Sequence, residues 1–297
     1  MAIYASLDLG TNSVRMLVAE TKPGNTLNVL KRYTKITRIG EELKDRGRLK
    51  DTAKERTLSA IFECRQILEN FKVEKVLGVA TSAIRDAIDG REFIELINKK
   101  TGLPFEIISG RREAKLSFCG AVGGLPEMVS KDRAVVVDIG GGSTELTYVD
   151  HQGIKAQSFQ VGAVRCTEGG YSYHQITEII RSGLNEIEAN SPLQFVGVGG
   201  TITTLAAVDM KLSQYNPDLI HGTILKKSTV NEIYHQLNKM TLEERKYLKG
   251  LQPERADIIV AGTLILKTII DMLGTEEIIV SESDLLYGLV FELSQSS

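Results

Sequence analysis

The order of apolar runs along this chain predicts two duplicated α/β domains that face each other across a ligand cleft. Three observations carry that expectation. At 297 residues the chain is long enough for two domains, each burying its own core. A β-β-β-α-β-α-β-α order read from the N-terminus restarts after residue 130. The phrase Asp–aliphatic–Gly–x–x–Ser stands near the head of each copy, running from Asp8 to Ser13 and from Asp138 to Ser143.

In the first copy, residues 2–9, 13–20 and 27–33 are apolar runs that read as an antiparallel meander, with the Lys22-Pro-Gly-Asn25 turn between the last two. Residues 35–50 are charged and punctuated by Gly40 and Gly47, the composition of a loop. Asp51 is placed as an N-cap, and Leu58, Ile61, Phe62, Cys64 and Leu68 recur at helical spacing through residue 72. Residues 76–80 form a buried strand, followed by a helix through about Lys99 and a strand at 105–108. Ser109 and Gly110 open another helix, with Arg111, Arg112 and Glu113 in its first turn.

Gly-Gly-Leu-Pro then interrupts the pattern, which sets the expected boundary between domains at 1–124 and 125–297. The second copy has strands at 134–138, 145–149 and 154–161, a helix at 174–189 and a strand at 195–198. Helices follow from Thr201 and over 228–239, 242–249 and 254–273, then a strand at 278–281. A closing helix at 285–293 is free, on sequence grounds, to cross back onto the first domain.

Hydrophobic content of 42% and charged content of 25% are those of an ordinary globular protein, and no apolar run approaches the roughly 20 residues of a membrane span. The N-terminus lacks a basic, then apolar, leader, so a cytoplasmic protein is expected. A net charge of −2 excludes broad nucleic-acid coating, so any polyanion must be gripped locally. Cys64, Cys119 and Cys166 have no pairing pattern and read as buried reduced thiols; the four histidines have no metal-ligand spacing. Exposed apolar faces leave a homodimer open.

Three glycine-rich turns could cradle anions. The first is Gly10, Thr11, Asn12 and Ser13; the second is Gly140, Gly141, Gly142, Ser143 and Thr144. The third is Gly199, Gly200 and Thr201, between a strand and a helix start, where backbone N–H groups and the helix dipole favour phosphate. One such loop is often a plain hairpin or tight packing, whereas three in one chain point to a phosphorylated ligand. At the seventh position after the aspartate the copies differ, Arg15 in one and Glu145 in the other, so two half-sites of opposite charge are expected to face one ligand. Glu145 lies early in a strand, where glutamate is disfavoured. Glu113 reads either as a catalytic carboxylate or as a complement to its helix dipole, and Arg85 as a phosphate ligand or a solvated arginine. Asp8 and Asp138 close apolar strands, where a buried carboxylate needs a cation, commonly Mg²⁺ when phosphates are present.

These stretches together resemble the exopolyphosphatase/guanosine pentaphosphate phosphohydrolase family, within the acetate-kinase, sugar-kinase, heat-shock ATPase and actin superfamily. The matching motifs are DLGTNSVRMLV (8–18), ATSAIRDA (80–87), ISGRREA (108–114), VDIGGGSTEL (137–146), VGAVRCTE (161–168), VGGTITTLAA (198–207), the His221-Gly222 pair, ERAD (254–257) and SESDLLYGL (281–289). The resemblance implies actin-like (ribonuclease H-like) domains with the active site between them, in the short form without a helical C-terminal extension. It also implies Mg²⁺-assisted release of terminal phosphate from inorganic polyphosphate, or of the 5′-γ-phosphate of guanosine pentaphosphate (pppGpp). Glu113 and Glu145 match its catalytic pair, Asp8 and Asp138 its metal- and phosphate-loop aspartates, and Arg85 a substrate-associated arginine. Two positions depart from the pattern. Arg112 replaces the first glutamate of a usual Glu-Glu pair, adding positive charge that would favour longer anions. The closing segment, Asp284-Leu-Leu-Tyr287-Gly288, lacks a usual arginine. A small-molecule kinase and a non-catalytic polyphosphate or alarmone sensor are the other readings; the glutamate pair speaks against both.

Overall fold

The structure is a computed structural model that describes residues 2–22, 26–184, 187 and 193–295. Strands β1 (Ile3–Leu9), β2 (Ser13–Lys22) and β3 (Thr26–Ile36) form the expected meander. A single turn, α1 (Leu43–Arg46), lies in the segment read as loop, and α2 (Asp51–Leu68) follows. Lys50, not Asp51, is the N-cap of α2, and no side chain caps it. Ala53, Thr57, Ala60, Ile61 and Cys64 fall on the buried face of α2, while Phe62 points outward. Next come β4 (Lys75–Ala80), α3 (Ser82–Asp86), α4 (Gly90–Thr101), β5 (Phe105–Ile107) and α5 (Gly110–Gly124).

The second half opens with the meander β6 (Ala134–Ile139), β7 (Thr144–Asp150) and β8 (Gly153–Phe159). It continues through α6 (Ala163–Gly169), α7 (Tyr173–Leu184), β9 (Gln194–Val198), α8 (Gly200–Asp209), α9 (Pro217–Ile220) and β10 (Ile224–Lys226). Helices α10 (Lys227–Lys239), α11 (Leu242–Lys246) and α12 (Ile259–Leu273), strand β11 (Glu277–Val280) and helix α13 (Leu285–Gln295) complete it. The turn expected at residues 23–25, and most of the helix end expected beyond Leu184, lie outside the described residues.

The strand orders make the duplication explicit. The first sheet runs β3-β2-β1-β4-β5 and the second β10-β11-β9-β6-β7-β8, so β6, β7, β8, β9 and β11 repeat β1 to β5, with β10 added at the edge. In each sheet the central strand pairs antiparallel with its hairpin partner and parallel with the strand after the first crossover.

Two helices close the space between the sheets, and each has crossed over. Helix α5 covers the second sheet, with Phe118 and Ala121 against Val136, Val196 and Val198. Helix α13 covers the first, with Leu286, Tyr287 and Val290 against Tyr4, Leu17 and Ala19. The two helices also pack on each other, closely enough that a Cβ on Gly120 would overlap the Asp284 carbonyl and one on Gly288 the Leu116 carbonyl. Only glycine permits that approach. His221 ties the crossing down: its Nδ1 accepts from the Glu282 N–H at 3.1 Å and its Nε2 sits 2.8 Å from the Gly124 carbonyl, which assigns the proton to Nε2. Cys64 and Cys166 are buried thiols, but Cys119 is exposed on α5, because its position lies on the helix face turned away from the second sheet. No helix among the described residues is long and apolar enough to cross a membrane.

Candidate active site

The β1–β2 and β6–β7 hairpins carry the first two anion loops in the same geometry. The Gly10 N–H donates to the Ser13 carbonyl, and the Gly140 N–H to the Ser143 carbonyl, both at 3.0 Å. Registration then sets Asp8 opposite Arg15 and Asp138 opposite Glu145. The charge difference seen in the sequence therefore falls at one equivalent cross-strand position. The loops also meet across the domain interface: a Cβ on Gly142 would lie 2.6 Å from both Ser82 Oγ and Thr11 Oγ1. The third loop enters at the start of α8, with Gly199 at a φ of 88° and directly against Asp138. The three loops border a cleft of about 380 Å³ that also reaches Arg32, Tyr215, Arg255, Glu282, Asp284 and Tyr287.

Asp8 and Asp138 stand at the floor of this cleft. Asp8 Oδ2 accepts from Arg15 Nε at 2.9 Å and Nη2 at 2.5 Å, and Arg15 Nη1 reaches on to Asp284 Oδ2. Burial raises the proton affinity of Asp8 despite the opposing charge of Arg15. Asp138 Oδ2 accepts from Ser117 Oγ at 2.5 Å; burial, with the charge of Asp284 next, pushes its carboxyl up to about 6. Asp8 Oδ1 is buried with no partner in the protein. Among the described residues no group of three or more acidic, histidine or cysteine side chains forms a metal cage. Mg²⁺ needs none, since one or two carboxylates with phosphate oxygens and water complete its octahedron. An orphaned Asp8 oxygen in a cleft that Asp138 also lines fits that donor set.

Glu113 and Glu145 lie beside the aspartates. Ser109 caps α5, its hydroxyl accepting from the Arg112 N–H at 3.3 Å, and this fixes the first turn that delivers Glu113 to the cleft wall. Arg85 Nη1 donates to Glu113 Oε2 and to the Ile108 carbonyl, both at 3.0 Å. Burial outweighs this partner and pushes the Glu113 carboxyl up to about 8. Glu145 Oε1 accepts from Ser158 Oγ at 2.6 Å; burial, then the charge of Glu113, holds its proton affinity well above the ordinary range. Two like charges at close quarters cannot both ionise freely, so the pair favours holding one proton between them.

Most of the residues singled out in the sequence converge here. Gly10, Thr11, Asn12, Ser13, Arg15, Gly140, Gly141, Gly142, Ser143, Gly199, Gly200 and Thr201 all line the cleft, as do Asp8, Glu113 and Asp138. The buried Asn12 Nδ2 is a donor with no protein acceptor. Three residues stand back from the opening: Glu145 behind Glu113, Arg85 on Glu113, and Thr144, whose hydroxyl donates to the Val161 carbonyl at 2.5 Å. Arg112 is elsewhere, bridging Glu106 at 2.8 Å and Glu292 at 2.7 Å on the surface, so its charge does not reach the cleft. Sequence reading missed Arg255 as a site residue, although the ERAD motif contains it. Its Nε donates to Gln252 Oε1 at 3.2 Å, its Nη atoms lie against Gly200, and among the described residues no carboxylate pairs with it. It also missed Ser117, Ser158 and Asp284.

Comparison with known proteins bears on this arrangement. A profile of the Ppx/GppA phosphatase family matches residues 17–297. The chain is 35% identical over 310 aligned positions to the bifunctional 3-dehydroquinate synthase/phosphatase of Fusobacterium nucleatum, covering 98% of this chain but 46% of that longer protein. It is 32% identical to exopolyphosphatase 2 of Mycobacterium tuberculosis, covering 98% of both. The crystal structure of the Aquifex aeolicus Ppx/GppA family member superposes with a TM-score of 0.82 at 30% identity, over 100% of this chain and 99% of that one. The duplicated two-sheet architecture is thus the actin-like, two-domain fold expected above. By profile, by a relative matched along nearly its whole length and by fold, this chain belongs to the Ppx/GppA phosphatase family.

Proposed function

We propose that the protein releases terminal orthophosphate from inorganic polyphosphate by in-line attack of a water molecule. The observation that carries this reading is Glu113, a buried carboxylate with its proton affinity raised to about 8, opening onto the gap between two phosphate-type loops. A base with its pKa near working pH is what deprotonation of water requires. The exopolyphosphatase name of the Mycobacterium relative supports the substrate.

In the mechanism, N–H groups of the Gly10–Ser13 and Gly140–Ser143 turns, with Asn12 Nδ2, hold the terminal phosphoryl oxygens. Arg255 meets the chain of phosphates from the third loop. Asp8 and Asp138 are the groups that would hold a divalent cation, which would supply positive charge to offset that of the phosphates. Glu113, held by Arg85, takes the proton of the attacking water; burial sets its basicity, and Ser158 fixes Glu145 behind it. Phosphoryl transfer asks the protein for positioning and charge stabilisation rather than covalent chemistry, which suits a cleft of rigid turns.

A second substrate, pppGpp, is favoured by one observation. Beyond the loops the cleft extends to Tyr215, an exposed ring on which a base can stack. The test is orthophosphate release from long-chain polyphosphate, pppGpp and ATP measured in parallel with Mg²⁺. Release from polyphosphate is expected; tight binding without release would instead indicate a sensor, and ATP-dependent phosphorylation of an acceptor a kinase. Glu113→Gln and Glu145→Gln should each lower turnover by about 10²–10⁴-fold with the fold intact by circular dichroism. Near-normal turnover by Glu113→Gln would remove it from the role of base.

A further inference from the structure

Arg15 lines the cleft from the first hairpin, yet its guanidinium is engaged by carboxylates. Nε and Nη2 both bond Asp8 Oδ2, at 2.9 and 2.5 Å, and Nη1 bonds Asp284 Oδ2. The Arg15 side chain is 24% exposed to the cleft, against 6% for Asp8 and 8% for Asp284. Asp284 is held independently of the arginine, since its Oδ1 accepts from the Leu286 N–H at 3.1 Å at the start of α13. Two carboxylates against one guanidinium leave this triad with a surplus of one negative charge when all three are ionised. Asp8 Oδ1 adds a buried acceptor with no donor. A bare polyanion therefore meets a wall that is negative on balance, whereas a polyanion carrying a divalent cation brings the missing positive charge with it.

We propose that Asp284 is a specificity-determining residue that, by holding Arg15 Nη1, makes the cleft reject metal-free polyphosphate and accept the cation-loaded form. This rests on the phosphohydrolase reading above. In its absence Nη1 becomes a donor for a phosphate oxygen while Asp8 keeps the rest of the guanidinium in place. The bland role for Asp284, a cap on α13, is separable: Asp284→Asn retains the Oδ1 acceptor for Leu286, and Asp284→Ser retains a hydroxyl there should the first variant fold poorly.

The test is titration calorimetry with inorganic tripolyphosphate, once in EDTA and once in Mg²⁺. In EDTA, Asp284→Asn should bind about 5–50-fold tighter than the native chain, the effect of one nearby charge at a partly buried site. In Mg²⁺ the two should agree within about threefold. Adding Arg15→Gln to Asp284→Asn should return EDTA affinity to the native level, because the gain runs through the guanidinium. A variant whose melting temperature changes while its EDTA affinity does not would reduce Asp284 to a helix cap. Orthophosphate release from polyphosphate separates the two readings. Release by the native chain with unchanged variant affinity overturns the Asp284 assignment alone. Neither release nor tripolyphosphate binding by the native chain in Mg²⁺ would remove both.

Discussion

Burial holds the Glu113 carboxyl near 8 although Arg85 donates to it at 3.0 Å, and that imbalance has a sign in stability. The folded chain keeps a proton on Glu113 up to about pH 8, whereas the unfolded chain releases it near the ordinary 4.5. Between those values the folded state binds more protons, so this group's contribution to stability falls as pH rises through the window and is flat above it. Glu113→Gln, which has no charge to desolvate, should therefore melt about 2–5 °C higher than the native chain at pH 8.5, with the gain shrinking toward pH 5. Equal melting temperatures at both pH values would mean that Arg85 fully compensates the burial. The same ionisations govern turnover: kcat/KM should rise with pH on an acid limb between about 6 and 8, the range set by Asp138 and Glu113. A flat profile from pH 6 to 8.5 would count against a Glu113 base. Asp8, Asp138 and Glu145 were legible in the sequence because each sits where desolvation or strand preference disfavours it, whereas Glu113, favoured by its helix dipole, was singled out by the family resemblance. Ser117, Ser158 and Asp284 were not, because their roles exist only through partners on other elements; Arg15 and Asp284 are 269 positions apart.

At the scale of elements, what places the chemistry is a hairpin used twice. The turn from β6 to β7 presses on its counterpart from β1 to β2 through Gly142, whose missing Cβ makes room for Ser82 Oγ and Thr11 Oγ1. Gly142→Ala should force the loops apart at an overpacking cost of about 1–3 kcal/mol and lower kcat/KM by about 10–100-fold. Gly140→Ala is the control, since its Cβ would meet only the Ser143 carbonyl at 3.1 Å and should cost less. If both variants lose activity equally, seam packing is not the reason for the glycine. These hairpins were readable because apolar runs, turn glycines and a repeated aspartate agree. The elements that escaped are short: α1, α9 and β10 have four, four and three residues, too few for either periodicity to register. Helix α6 was hidden for another reason, as its seven residues are bracketed by glycines, Gly162 before it and Gly169-Gly170 at its end, which read as loop.

At the scale of the molecule, α5 and α13 form the spine, and the cleft is closed in front of it by ion pairs between the two halves. Arg38 Nη1 meets Asp257 Oδ2 at 2.7 Å and its Nη2 donates to the Glu254 carbonyl at 3.0 Å, while Arg165 meets Asp86 at 2.6 Å. These pairs are partly exposed, so each contributes only about 0–1 kcal/mol. Together they are enough to shift an opening equilibrium between the bodies we propose at 1–124 and 125–297 by about 2–30-fold. The spine resists separation because glycine-mediated backbone contact and His221 hold it, so opening should be a rocking of the sheets about it rather than a parting of domains. Replacing Asp257 and Asp86 together by Asn leaves every cleft-lining residue in place and should raise the small-angle scattering radius of the free protein. Tripolyphosphate with Mg²⁺ should restore the native radius, because the ligand then supplies the closing energy, and KM should rise about 2–10-fold with kcat little changed. High salt should mimic the double substitution in the native chain and add nothing in the variant. An unchanged radius with an unchanged KM would mean that the spine alone sets the closed geometry and that the front pairs are ornaments of the surface.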